Sequence, residues 1–275
     1  MQLTELDNNR TDSMNKILAI ANQKGGVGKT TTAVNLSASL AATKRRALLV
    51  DMDPQGNATM GAGIDKHDLA LSLYDVLTGK CRTAAAIQRS QDAGFDVLPA
   101  NADLSAAEVE LMDMSRRESR LREALAEVRP DYDFIIIDCP PSLNMLTLNA
   151  LVAAHGVMIP MQCEYYALEG LSALMQTIES LKASANPALQ IEGLLRTMYD
   201  PRNSLTVDVS NQLIEHFGDR VYSTVIPRNV RLAEAPSHGV PALIYDKTSR
   251  GAVAYLALAG ELNRRSEKVP ADASL

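Results

Sequence analysis

Residues 24–31 read Lys-Gly-Gly-Val-Gly-Lys-Thr-Thr and concentrate the groups that grip a phosphate. Gly25, Gly26 and Gly28, with Val27 between them, let the backbone curl so that successive N–H groups face one anion. A helix starting at Lys29 adds its positive N-terminal dipole. In such a loop Lys29 reaches the β- and γ-phosphates of a nucleotide and the Thr30 hydroxyl takes a place on Mg²⁺, with Thr31 beside it. A carboxylate is the natural partner for that cation, and Asp138 ends Phe134-Ile135-Ile136-Ile137, the sharpest strand-like run in the chain. An Asp closing an apolar strand about 110 residues after such a loop has the Walker B form, which holds Mg²⁺ through water. A second acidic loop, Asp51-Met52-Asp53-Pro54-Gln55-Gly56, follows the apolar run 47–50. Ligands of open α/β sheets sit at the carboxyl ends of strands, which sets this loop beside the phosphate loop.

The elements that must position these groups are legible as alternating short apolar runs and helical periods. Strands are expected over 16–22, 47–50, 95–99, 134–138, 157–160 (ended by Pro160), 189–199 and 221–226. Helices are expected over 29–43, 68–79 (Leu69, Leu73, Val76 and Leu77 on one face, Gly79 as the stop), 104–112, 115–128, 143–154, 167–183, 206–217 and 249–265. Fully apolar strands suit a parallel sheet covered on both faces. With no repeat and no composition break, the reading is one doubly wound α/β domain over 16–265. A flexible arm over 1–15 and a flexible polar tail over 266–275 flank it.

Bulk properties narrow the function classes. A 46% hydrophobic content supports a large core, and three widely spaced cysteines (Cys81, Cys139, Cys163) give neither a disulfide framework nor zinc spacing, so a reducing cytoplasm is expected. No signal peptide is expected, and no 18 apolar residues run together. The net charge of −6 does not announce a nucleic-acid binder, but residues 196–250 carry seven basic against six acidic groups. Arg196 stands out there: in a strand an apolar residue is the simpler choice, so it either caps the strand's end or joins a basic surface. The charged run 116–123 is read as a solvated helix face.

Six segments together resemble the ParA/Soj-type chromosome-partitioning ATPases of the ParA/MinD group. They are ANQKGGVGKTTTAVNL (21–36), LLVDMDPQGNAT (48–59), DCPPSLNMLTLNAL (138–151), QCEYYALEGL (162–171), TMYDPRNSL (197–205) and VIPRNVRLAEAPSHG (225–239). The resemblance spans about residues 15–265. The strict GxxxxGK[ST] pattern asks for a glycine at the head of the loop, where this chain has Gln23-Lys24, the deviant form of that group. The resemblance implies that Lys24 reaches across a nucleotide-sandwich homodimer to the partner's phosphates, supplying in trans a cation for phosphoryl transfer. It implies that Asp53 positions or activates the attacking water and that Asp51 supports the Mg²⁺ region. Pro227 and Asn229 match the segment that holds the adenine, with Met198 as a further candidate. The guanine-reading Asn-Lys-x-Asp sequence is replaced by Thr197-Met198-Tyr199-Asp200, favouring ATP. Arg202 and Arg231 match positions of a composite DNA-binding face, and Arg228, Lys247 and Arg250 are additional candidates.

The implied protein is a Mg²⁺-dependent ATPase of slow intrinsic turnover, cytoplasmic and nucleoid-associated. Its ATP dimer binds double-stranded DNA without sequence preference, and a ParB/Spo0J-type partner triggers hydrolysis. About 15 residues precede the first strand, too few for the helix-turn-helix domain of plasmid-type relatives, so operator binding is not expected. Three alternatives share the loop. A MinD-like membrane-cycling ATPase would want a basic, bulky amphipathic C-terminal helix, where this chain has Pro270 and little apolar face; no stable membrane association is expected. An iron–sulfur relative would need cysteines shared across a dimer. The last is an ATP-gated positioning scaffold for another cargo.

Overall fold

The computed structural model describes residues 15–165 and 167–267. Mostly apolar runs, with the polar pair of β3 at one edge, form the strands of one sheet: β1 (Lys16–Ile20), β2 (Ala47–Asp51), β3 (Gln88–Arg89), β4 (Asp96–Leu98), β5 (Phe134–Asp138), β6 (Gly156–Gln162), β7 (Gln190–Tyr199) and β8 (Val221–Pro227). Their order is β3-β4-β2-β5-β1-β6-β7-β8. Every recorded pairing is parallel except β3 with β4. The helices are α1 (Lys29–Ala42), α2 (Asn57–Gly61), α3 (Leu73–Leu77), α4 (Thr83–Ala86), α5 (Leu104–Glu110), α6 (Arg120–Val128) and α7 (Met145–Ala153). They continue with α8 (Ala167–Ser184), α9 (Ser204–Phe217), α10 (Val230–Glu234), α11 (Ala242–Tyr245) and α12 (Arg250–Glu267).

Alternation along β1 shows how the sheet is buried on both sides. Ile17 and Ala19 join one apolar core with residues of α3, α5, α6, α7 and α8, while Leu18 and Ile20 join a second core with α1 and α12. A strand covered on both faces must be apolar at every position, which is why these runs lack a polar alternation. The carboxylates at the ends of β2 and β5 are the conspicuous exceptions.

Several expected boundaries move for identifiable reasons. The helix expected over 68–79 begins only at Leu73, because Ser72 and Asp75 form a capping box: the Ser72 N–H donates to Asp75 Oδ2 at 2.9 Å. Leu69 packs instead against the opposite core. The helix expected from 115 begins at Arg120, after a left-handed Arg116 (φ 54°).

The strand expected to stop at Pro160 runs on to Gln162. The Pro160 carbonyl accepts from Asn22 Nδ2 at 2.8 Å, on the side where β1 has already ended, so the proline's missing N–H breaks no ladder bond. The last helix, expected to end at 265, runs on as well. α12 reaches Glu267, its last turn held by Lys16 Nζ donating to Ser266 Oγ (3.3 Å) and by an Arg45–Glu267 ion pair (3.3 Å). The arm over 1–14 and the tail from 268 lie outside the described residues.

Candidate functional site

The loop between β1 and α1 is pinned at both ends. Asn22 uses its amide on Pro160 and its Oδ1 to accept from the Lys24 N–H (2.9 Å). Thr197 Oγ1, near the end of β7, donates to the Val27 carbonyl (2.8 Å). Gly26 (φ 74°) and Gly28 (φ 88°) take the left-handed conformation that makes the curl, which side chains with a Cβ adopt only with strain. Lys29 opens α1 and is buried, and its Nζ donates to the Lys24 carbonyl (3.1 Å) across the loop's concavity. Burial lowers the Lys29 pKa, while Asp138, Cys139 and Asp53 oppose that effect.

The acids converge on the same edge. In the sheet register Asp51 lies opposite Asp138, which lies opposite Ile20, so the ends of β2, β5 and β1 form one row below the loop. Asp51 is fully buried, but its oxygens are already engaged: Oδ2 accepts from the Thr59 N–H (2.8 Å) and Oγ1 (2.7 Å), and Oδ1 from the Asp53 N–H (3.2 Å). Burial raises its pKa to about 6 against those hydrogen bonds. These bonds tie Asp51 to the loop that carries Asp53. Asp53 stands half-buried and accepts from the Gln55 N–H (3.0 Å).

Asp138 is the opposite case. It is fully buried, and neither carboxylate oxygen has a hydrogen-bond partner. Burial and then the Asp51 charge push its pKa well up; the Thr30 hydroxyl, near the carboxylate but outside hydrogen-bond geometry, and Lys29 oppose that rise. An orphaned buried carboxylate is costly unless a cation or donor arrives, so the site fits a divalent ion. Among the described residues no cluster of three or more His, Cys, Asp or Glu side chains could cage a metal alone. That suits Mg²⁺, which binds one or two protein oxygens and takes the rest from substrate phosphates and water.

Beside the loop lies a cavity of about 220 Å³. It is bounded by Gly28 and Thr31, by Thr197 and Met198 near the end of β7, and by Pro227 at the end of β8 with Asn229 just beyond it; Leu232 and Tyr255 line it as well. All three expected base contacts thus line one space next to the phosphate loop. Asn229 also caps α10, its Oδ1 accepting from the Arg231 N–H (3.0 Å), which leaves its amide nitrogen for another partner. Thr197 and Tyr255 were not anticipated, although Thr197 lies in a motif already singled out. Tyr255 is bonded to Thr32 (3.1 Å) and looks in sequence like any helical core residue.

The expected trans lysine is engaged within its own chain: Lys24 Nζ pairs with Glu164 Oε2 at 2.6 Å, both side chains about half exposed. The arginines of the expected DNA face are paired as well. Arg202, its side chain 89% exposed, is held by Asp200 through Nε (2.9 Å) and Nη2 (2.8 Å). Arg231 meets Glu234 (2.7 Å) and Asp246 (3.4 Å). Arg228, Lys247 and Arg250 are exposed and make no side-chain ion pair among the described residues. Arg196 is neither a strand cap nor a surface group; it is 7% exposed, inside the sheet. Cys139 and Cys163 are buried with thiols pushed up, Cys163 to about 11, which does not favour thiolate ligands.

A parallel sheet with a glycine loop after its central strand, and acids ending the next two strands on one side (β5, then β2), defines a P-loop nucleotide-hydrolase fold. The AAA domain family signature matches residues 15–191. Soj, the sporulation initiation inhibitor protein of Bacillus subtilis, is 54% identical over 249 residues, 90% of this chain and 98% of that protein. The chromosome partitioning protein ParA of Caulobacter vibrioides is 52% identical over 261 residues, 94% of this chain and 98% of that one. A crystal structure named cobyrinic acid a,c-diamide synthase from Mycobacterium smegmatis, with bound ADP and magnesium, is 41% identical with a TM-score of 0.81, covering 92% of this chain and 96% of that one. The chain belongs to the AAA domain family and, within it, to the ParA/Soj chromosome-partitioning ATPases.

Proposed function

We propose that this protein is a DNA-segregation ATPase that binds Mg·ATP, closes into a homodimer and holds double-stranded DNA without sequence preference until hydrolysis releases it. The observation that carries the reading is the orphaned, buried Asp138 carboxylate beside Lys29 and Thr30, in a chain half-identical to partition proteins over nearly its whole length. Backbone N–H groups of residues 25–30 and Lys29 hold the phosphates, and Thr30 and Asp138 hold Mg²⁺, with Asp51 keeping the adjacent loop in shape. Mg²⁺ held by these residues would neutralise charge that develops on the phosphates. Asp53 orients water, while Pro227, Asn229 and Met198 hold adenine. Lys24 exchanges Glu164 for the partner protomer's phosphates, which makes a dimer out of a nucleotide-binding event.

Arg202 and Arg231, with Arg228, Lys247 and Arg250, contribute phosphate contacts that are sequence-blind and salt-sensitive. By linkage, DNA favours the ATP dimer by the factor that ATP favours DNA binding. A ParB/Spo0J-type protein is the stimulating partner, turnover without it is slow, and the protein is cytoplasmic and nucleoid-associated. Among the described residues no helix is long and apolar enough to cross a membrane. Arg265 near the end of α12 is tied to Glu261 (2.8 Å).

DNA retention measured with ATP, with ADP and without nucleotide tests the proposal. Retention only with ATP, lost in an Arg202→Ala, Arg231→Ala double variant, is expected; equal retention in all three states would sink it. Lys24→Ala is expected to abolish ATP-dependent dimerisation in sedimentation, and an ATP-dependent dimer formed by that variant would undo the trans role.

A further inference from the structure

Arg196 sits in the middle of β7 where an aliphatic residue would be simpler, and its surroundings explain what it does. The β7–β8 ladder is irregular on both sides of it. Leu194 pairs with Val221 and Arg196 with Val225, so β8 carries two surplus residues over that step. Between Arg196 and Tyr199, paired with Pro227, the surplus residue is on β7, where Met198 takes a left-handed φ of 49°. Parallel strands with such slips leave main-chain groups without ladder partners, and buried ones need substitutes.

Arg196 supplies them. Its Nη2 donates to the Tyr222 and Ser223 carbonyls (2.8 and 3.3 Å), and its Nη1 donates to Ser210 Oγ on α9 (2.8 Å). On the same bulge Glu261 of α12 accepts from the Ser223 and Thr224 N–H groups, both at 2.8 Å. A guanidinium with fixed donors in a plane holds this displaced strand in one place, as a leucine could not. Beyond the bulge lie Thr197 and Met198 near the end of β7 and Pro227 at the end of β8, the opposing walls of the 220 Å³ cavity.

We propose that Arg196 is a positioning residue for nucleotide binding. By locking the β7–β8 offset it sets the gap between Met198 and Pro227 that admits the adenine ring, without touching the ligand. The inference rests on the reading of that cavity as the base site of an adenine nucleotide. It leaves the phosphate loop, anchored by β1 and Asn22, outside the influence of Arg196 except through Thr197.

The test compares two probes, Mg·ATP and Mg·tripolyphosphate, titrated calorimetrically against the full chain, with melting of the ligand-free protein alongside. Arg196→Leu is expected to weaken ATP about tenfold, about 1.4 kcal/mol, while tripolyphosphate binding stays within about twofold. Ser210→Ala, which frees only the α9 end of the guanidinium, is expected to weaken ATP about threefold with the same selectivity. It carries the test if the Leu variant does not fold. Arg196→Lys, keeping a donor but not the planar fork, is expected to fall between the wild type and Arg196→Leu. A lowered melting temperature with an unchanged ratio of ATP to tripolyphosphate affinity would overturn the positioning role and leave Arg196 a stabilising group. Wild-type protein that binds ATP no tighter than tripolyphosphate would instead remove the base-site reading itself.

Discussion

Replacing Asp138 by Asn tests how strongly a buried carboxylate without a partner weighs on the fold. The carboxyl is fully buried and lacks any hydrogen-bond partner, with the Asp51 carboxylate opposite it in the register. Burial and that neighbour raise its pKa, so the ligand-free fold retains a proton that the unfolded chain gives up above its ordinary value of 3.8. Stability is then lost as pH rises from there toward the raised pKa. Leaving a buried polar group without a partner costs about 1–3 kcal/mol, more when it is charged, so about 2 kcal/mol is the working figure for removing the charge by Asp138→Asn. At about 2–4 °C per kcal/mol, Asp138→Asn is expected to melt ~4–8 °C above the wild type without nucleotide, with a flatter pH dependence. Mg·ATP at about 100 times its Kd adds about 2.7 kcal/mol to the wild type. The variant, short of a Mg²⁺ carboxylate, is expected to gain little, so the order of melting reverses. Scanning calorimetry with and without Mg·ATP reads both effects. A ligand-free variant melting at or below the wild type, or one stabilised equally by Mg·ATP, would refute the reasoning.

Other expectations follow from single contacts. Gly251, in the first turn of α12, would place an added Cβ 2.6 Å from Leu232 Cγ, and Leu232 lines the base cavity. The helix-propensity gain of Gly251→Ala is at most ~1 kcal/mol against an overpacking cost of ~1–3 kcal/mol, so the variant is expected to melt lower and bind ATP more weakly. Higher melting with unchanged ATP affinity would contradict this. His155 Nδ1 accepts from the Ile17 N–H (3.0 Å), and burial, then Arg129 and Lys16, lower its pKa to about 4. Between pH 6.5 and 4 the unfolded chain takes a proton that the fold refuses, so this group removes up to ~3 kcal/mol as pH falls. His155→Asn, which keeps an acceptor there, is expected to show a smaller melting loss than the wild type across that window. Asp200→Asn is expected to tighten DNA binding and steepen its salt dependence, read by titration from low to high salt; no change in slope would count against an engaged Arg202.

The parts of the site written as local patterns were legible in the sequence. The loop 24–31 and the Asp138 strand depend on contiguous residues, and the fold places them side by side at the carboxyl edge of the sheet. What escaped depends on pairing between distant segments. Nothing local says that Glu164 meets Lys24 across 140 positions, or that Asp51 is consumed by Thr59. The role of Arg196 needed the β8 bulge, a feature of two strands at once. Pro160 misled because a proline breaks a strand only where its N–H was needed, and β1 ends before that point. Short helices such as α10 and α11 carry too few residues for a period to register.

The Arg202–Asp200 clasp bears on how such a surface handles a long polyanion. An arginine that meets DNA from open solvent liberates counterions condensed on the phosphates, whereas one already clasped must first surrender an acidic side chain. On the surface proposed to meet DNA, each such contact would be an exchange of one anion for another and individually weak, so a firm hold would need several of them at once.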